Sequence, residues 1–199
     1  RPRGVMKQIL QQEERVRLDR RVAEAEGRTG SQIVLSVIER CDVYAELPWK
    51  AFALGAVVAG LAASVLDLLR PGWSSSAAVL FAVTAMLASG ALCALLGITV
   101  PRFARLFLDA HRAEVEVRQY AESLFLSREL FSTQRRRGVL LLVSLFERQV
   151  VVLPDIGLGQ RLTRDALQSI IARVTTALAS GPVARALEEG LIGLEDALA

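Results

Sequence analysis

The stretch QRRRGVLLLVSLFERQVVVLPDIGLG, residues 134–159, holds two apolar runs parted by Phe146, Glu147, Arg148 and Gln149. Residues 138–145 and 149–153 read as two strands joined by a short turn near Glu147 and Arg148, which makes a β-hairpin. The first run is almost uninterrupted in apolar character, the pattern of a strand covered on both faces. Pro154 ends the second strand, and residues 155–160 (DIGLGQ) form a loop. Three arginines, Arg135, Arg136 and Arg137, stand directly ahead of the glycine that opens the hairpin.

Working outward from the hairpin, helices flank it on both sides. Downstream, Thr163 can cap a helix that carries Asp165 in its first turn. Leu167, Ile170, Ile171, Val174 and Leu178 form its apolar stripe. Ser180, Gly181 and Pro182 stop it and start another, in which Val183, Leu187, Leu191, Leu194 and Leu198 recur every three or four residues. Upstream, Pro101 marks a break. Residues 103–130 then read as one long helix with Val117, Ala121, Leu124 and Phe125 on a single face. Near the start, residues 5–27 read as a charged amphipathic helix with Leu18, Val22 and Ala25 at helical spacing, ended by GRTG at 27–30. Residues 32–39 (QIVLSVIE) are a short β-branched run that reads as a buried strand.

Between that strand and the long helix lie two segments of another kind. Residues 51–69 carry one charge, Asp67, and residues 77–100 carry none. Each reaches the roughly 20 residues that a helix needs to cross about 30 Å of hydrocarbon. Both are rich in Gly, Ala and Ser, which lets two helix backbones approach closely. The connection RPGWSSS (70–76) is a tight turn, and Trp49 and Trp73 are placed as interfacial anchors at the two ends. The turn carries Arg70 alone, whereas Arg40, Lys50, Arg102, Arg105 and Arg112 flank the other ends. The positive-inside rule then puts both flanks in the cytoplasm, which predicts a bacterial inner-membrane protein with two spans.

Composition agrees with that reading. Over 199 residues, 52% are apolar and only 6% aromatic, and the mean hydropathy is +0.38. The net charge of +3 follows from arginines that flank the spans and does not point to nucleic acid. His111 is the single histidine, which argues against His-based zinc or triad chemistry. Cys41 and Cys93 lie far apart, so neither a disulfide scaffold nor a CxxC metal site is expected. The chain opens on Arg1 rather than Met, which leaves room for residues upstream, and shows no signal-peptide pattern.

Helix, strand, apolar hairpin, helix, strand, strand, helix, helix is the order of a small α/β/α sandwich interrupted by a membrane hairpin. Residues 1–45 and 102–199 are expected to close into one domain, with 46–101 as the two-span insertion. The stretches SQIVLSVIERCDVY and QRRRGVLLLVSLFERQVVVLPDIGLG, followed by the terminal helices, resemble the TPM domain family, and most of all its bacterial members with a transmembrane hairpin after the first strand. The matching pieces are residues 28–39, 120–125, 137–140 and 155–158. The resemblance implies an α/β/α sandwich, a divalent cation such as Ca or Mg or an acid phosphatase activity in some members, and upkeep of photosynthetic membrane complexes in plants. Soluble members usually carry an acidic residue just ahead of the hairpin glycine, where this sequence has Arg135–Arg137. A guanidinium there repels a divalent cation and cannot be deprotonated to bind it.

Candidate sites follow from these segments. Arg135, Arg136 and Arg137 can hold a phosphate group on a substrate, a lipid headgroup or a partner, or simply position the domain near anionic lipid. Asp155 with Gly157 and Gly159 can cradle a ligand, since glycines permit positive φ and close backbone approach, or can be a plain strand-to-helix turn. Glu39, Asp42 and Asp155 are the carboxylates available to a cation, and Asp155 is the one candidate for a catalytic role. Asp67 can serve an ion path or pair at the interface with Arg70. His111 reads as a juxtamembrane surface residue and Cys93 as a small apolar side chain. No cofactor is required by this reading. The expected partners are the lipid bilayer and other membrane-protein subunits, with the chain acting as an interaction, assembly or maintenance subunit. The alternative is a membrane-tethered, divalent-metal-dependent phosphatase.

Overall fold

A computed structural model describes residues 10–69, 76–133 and 135–198 of the chain. The chain divides into two compact units, one made of Arg1–Cys41 with His111–Ala199, the other of Asp42–Ala110.

The first unit is a three-layer sandwich. Helix α1 (Gln12–Thr29) leads into strand β1 (Gln32–Ile38). After the other unit come helix α5 (Ala110–Ser127), strand β2 (Gly138–Ser144), strand β3 (Gln149–Pro154) and helices α6 (Arg164–Ser180) and α7 (Val183–Leu198). The sheet order is β1-β2-β3. β1 runs parallel to β2 with Gln32 opposite Gly138 and Ile38 opposite Ser144. β3 returns antiparallel, with Ser144 opposite Gln149 and Val139 opposite Pro154. The parallel pair needs a long crossover, and the inserted unit together with α5 supplies it.

The period-2 alternation of the strands sorts the core into two layers. Ile33, Leu35 and Val37 of β1 and Val139, Leu141 and Val143 of β2 face one way, onto Leu18 and Ala25 of α1, Val174 of α6 and Leu187, Leu191 and Leu194 of α7. Leu140 and Leu142 face the other way, onto Val117, Ala121 and Leu124 of α5. All seven residues of β2 are buried, which explains its unbroken apolar run. Each buried Val or Leu there contributes about 1.5–3 kcal/mol of transfer free energy. α7 comes very close to the layer beneath it: a Cβ on Gly190 would stand 2.8 Å from Val174 Cγ2 and 3.0 Å from Leu141 Cδ1.

The second unit is dominated by α2 (Glu46–Leu69) and α3 (Ser76–Thr99). Their close contacts run in opposite order along the two helices. A Cβ on Gly55 would meet Ser89 O at 2.6 Å, one on Gly60 would meet Met86 Cε at 2.8 Å, and one on Gly97 lies 3.4 Å from Ala51 Cβ. The helices are therefore an antiparallel hairpin packed through small residues. Both are long and apolar enough to cross a membrane, and only 6% of the most apolar window of each is buried. Leu61, Leu68, Leu80 and Phe81 are among the large side chains left outside. A core helix of a soluble domain buries such a surface.

Several boundaries differ from the sequence reading. The first helix spans Gln12–Thr29 rather than 5–27, and residues 5–9 lie outside the described residues. Gly27 stays helical, and Gly30 ends the helix in the left-handed region at φ 64, its N–H donating to Glu26 O. The helix expected over 103–130 is broken. Pro101 opens the short helix α4 (Pro101–Ala104), a 3-10 turn follows at Arg105–Phe107, and Leu108 is extended before α5 begins at Ala110. Pro154 closes β3 as its last paired residue, where the missing N–H costs nothing to the ladder.

Candidate functional site

The three arginines occupy a tightly held loop at the head of β2. The chain leaves α5 through Glu129, in the left-handed region at φ 52, and a 3-10 turn at Leu130–Ser132. Arg136 is also left-handed at φ 52, a conformation that a non-glycine residue keeps only when its surroundings fix it. Here they do. Arg136 N–H donates to Thr133 O at 3.0 Å, and Arg136 O accepts from Gly157 N–H at 2.9 Å. Arg137 N–H donates to Thr133 Oγ1 at 2.9 Å, and Arg137 O accepts from Gln32 N–H at 2.9 Å. Gly138 admits no side chain, because its Cβ would sit 2.4 Å from Leu130 O. Above this frame Arg135 and Arg137 line a hollow of about 380 Å³ together with Gly30, Gln32 and Thr133.

The loop after β3 is stitched to the same frame. Asp155 N–H donates to Gly138 O at 2.8 Å, and Asp155 Oδ1 caps the turn Ile156–Leu158 by accepting from Ile156 N–H at 2.8 Å. The side chain is 6% exposed, and Oδ2 has no hydrogen-bond partner. Among the described glycines only Gly30 has a positive φ. Gly157 is required for close approach, since its Cβ would lie 2.3 Å from Arg135 O, whereas Gly159 is under no comparable pressure.

The three carboxylates are not gathered. The parallel pairing of β1 with β2 puts Glu39 at the far end of the strands from Asp155, separated by seven paired residues, about 20 Å at some 3.3 Å per residue. Asp42 begins the other unit, and its carboxylate accepts from Val43 N–H at 2.7 Å. Among the described residues no group of three or more His, Cys, Asp or Glu side chains is arranged to hold a metal ion. At the loop itself, Asp155 offers one free oxygen beside three guanidinium-bearing residues. That donor set does not fit a divalent cation.

A carboxylate that sequence reasoning took for a simple turn residue sits at the Glu39 end. Glu147 is 7% exposed and accepts from Cys41 N–H at 3.1 Å and the Cys41 thiol at 3.0 Å, and also from the Ser144 hydroxyl. Burial pushes its pKa up, but these hydrogen bonds outweigh that and hold the carboxyl below its ordinary value. The same turn grips the exit of β1: Leu145 N–H donates to Ile38 O, Phe146 N–H to Glu39 O, and Arg40 lies 3.9 Å over the Phe146 ring.

The remaining candidates lie in or beside the apolar hairpin. Trp49 is 72% exposed and meets Phe52 edge-on at 6.2 Å. Trp73 and Arg70 fall outside the described residues. Asp67 borders a cleft of about 270 Å³ between α2 and α3, with Ser64, Phe81 and Met86. Cys93 Sγ would stand 2.8 Å from a Cβ on Gly55, which accords with a small packing residue. His111 is exposed in the first turn of α5.

A three-layer sandwich on a mixed three-stranded sheet, interrupted after its first strand by an apolar helical hairpin, defines the class. A family model described as the TPM domain matches residues 95–197, more than half of the chain, and the chain belongs to the TPM domain family. Among solved structures, the NMR structure of the BA42 protein from the psychrophilic bacterium Bizionia argentinensis is similar, with 14% identity and a TM-score of 0.53 over 96% of this chain and 83% of that one. At that identity the likeness concerns the fold. No curated protein matches the sequence.

Proposed function

We propose that this chain is an integral membrane TPM-domain protein of the bacterial inner membrane, with both flanks of the hairpin cytoplasmic, and that it serves as an interaction, assembly or maintenance subunit of a larger membrane complex. The carrying observation is the hairpin: two 24-residue helices packed on each other through glycines, with nearly all of their outer surface bare. Such a surface suits lipid and the helices of neighbouring subunits. The arginine loop supports the non-catalytic half of the reading, because guanidiniums beside Asp155 disfavour a divalent cation there. Extraction in mild detergent followed by affinity purification should recover stoichiometric partner subunits. A monodisperse chain with no partner, from its native membrane, overturns the assembly role.

A second reading has one observation in its favour, the buried Asp155 with a free Oδ2. It is a membrane-tethered, metal-dependent phosphatase. Phosphomonoester turnover, measured with and without added Mg or Ca, should stay at background in both the wild type and Asp155→Asn. Turnover that requires both the metal and Asp155 would reverse the ranking of the two readings.

A further inference from the structure

We propose that the hollow at the head of β2 is a binding site for a phosphate group, with Arg135 and Arg137 as its charged walls and Thr133 and Gln32 as its neutral donors. Its volume of about 380 Å³ falls at the small end of the range for small-molecule sites, about 300–1,000 Å³. Arg135 is exposed and Arg137 half-buried, and among the described residues neither has a carboxylate partner. Some other arginines of this unit are held by carboxylates: Arg17 by Glu188 at 2.6 Å, Arg28 by Glu195 at 2.7 Å, and Arg173 by Glu189 and Asp196 at 3.1 and 3.2 Å. Arg135 and Arg137 have no such partner among the described residues and share the lining of one hollow.

The frame is preorganised. Its backbone is held by hydrogen bonds from Gln32, Gly157, Arg136 and Arg137, so little ordering is left for a ligand to induce. Thr133 Oγ1 already accepts the Arg137 N–H, which leaves its hydroxyl proton to donate outward. Arg137 Nη1 lies 3.8 Å from where a Cβ on Gly30 would stand, which places the guanidinium beside Gly30 in the lining of the hollow. Two forked guanidiniums with a hydroxyl and an amide suit a tetrahedral dianion, which offers several acceptor oxygens, better than a single carboxylate. Arg136, whose side chain does not line the hollow, adds charge but no wall. This site does not depend on the assembly role or on any turnover.

The test is calorimetric titration of the full chain in phosphatidylcholine nanodiscs with two sources of the same group. Inorganic phosphate and pyrophosphate represent the soluble source. Short-chain phosphatidic acid, measured against short-chain phosphatidylcholine, represents the headgroup. Binding of the inorganic anions supports a soluble ligand, and binding of phosphatidic acid alone supports a lipid headgroup. With either source, Arg135→Gln combined with Arg137→Gln should weaken binding by about tenfold or more, while Arg136→Gln should weaken it by no more than about threefold. Absence of binding by every probe overturns the proposal. So does an equal loss in Arg136→Gln, which would reduce the hollow to unspecific positive charge.

Discussion

Glu147 shows how one buried side chain can hold a chain crossing. It collects a backbone N–H, a thiol and a hydroxyl at the point where the chain leaves β1. Removing the acceptor strands buried donors, so Glu147→Ala should destabilise this unit by about 1–3 kcal/mol, read from its thermal or denaturant transition. The pH dependence follows from the direction of the shift. A carboxyl whose folded pKa is lowered contributes stability that is fully present above its ordinary unfolded value and lost as pH falls through the lowered folded value. Glu147→Gln should therefore flatten the acid limb of the stability profile below the unfolded value; an unchanged limb would show that Glu147 is not the group concerned. Nothing local announces this role, because Cys41 lies 106 positions away in the chain. Asp155 was legible as a loop acid, but not that its Oδ2 would be buried without a partner.

At the scale of elements, the hairpin depends on backbone approach. Gly55 and Gly90 leave no space for a side chain, since their Cβ atoms would stand 2.6 Å from Ser89 O and 2.7 Å from the Phe52 ring. Ser89 Oγ also donates to Gly55 O at 3.0 Å across the pair. Gly55→Leu should force α2 and α3 apart and cost about 1–3 kcal/mol or more of hairpin stability, seen as a lowered Tm in detergent. Leu61→Ala removes a side chain that is 66% exposed and should stay within about 0.5 kcal/mol of wild type. Equal effects would mean that these helices do not pack as described. The richness in Gly, Ala and Ser was visible in the sequence, and so were the strands and the stripes of α6 and α7. Each depends on a repeat within one segment. The break at Leu108 was not, because apolar spacing continues through Phe103, Phe107 and Val117 although the backbone turns between them.

For the whole molecule, an even number of crossings returns the chain to the side from which it left, so residues 1–45 and 102–199 can share one compartment and complete one sheet. If the hairpin spans the membrane with both flanks cytoplasmic, a thiol introduced at Ser76→Cys, in a chain without Cys41 and Cys93, should react with a membrane-impermeant maleimide from the periplasmic side only. Arg161→Cys should react only after the membrane is opened. The reverse pattern would invert the orientation, and reaction of both from one side would remove the span altogether.

The sequence by itself determined what every segment would bury: an unbroken run for a strand covered on both faces, stripes for helices with one face inward, and two apolar lengths suited to lipid. It also carried the family likeness and the unusual arginines, because both are properties of consecutive residues. Only the tertiary structure decided which ends of the strands meet. The parallel pairing of β1 with β2 and the antiparallel return of β3 bring Gly30, Gln32, Arg135, Arg137 and Asp155 to one end, and leave Glu39, Cys41 and Glu147 at the other. Hydropathy says that a strand is buried, and only its register against distant neighbours says which charges it brings together.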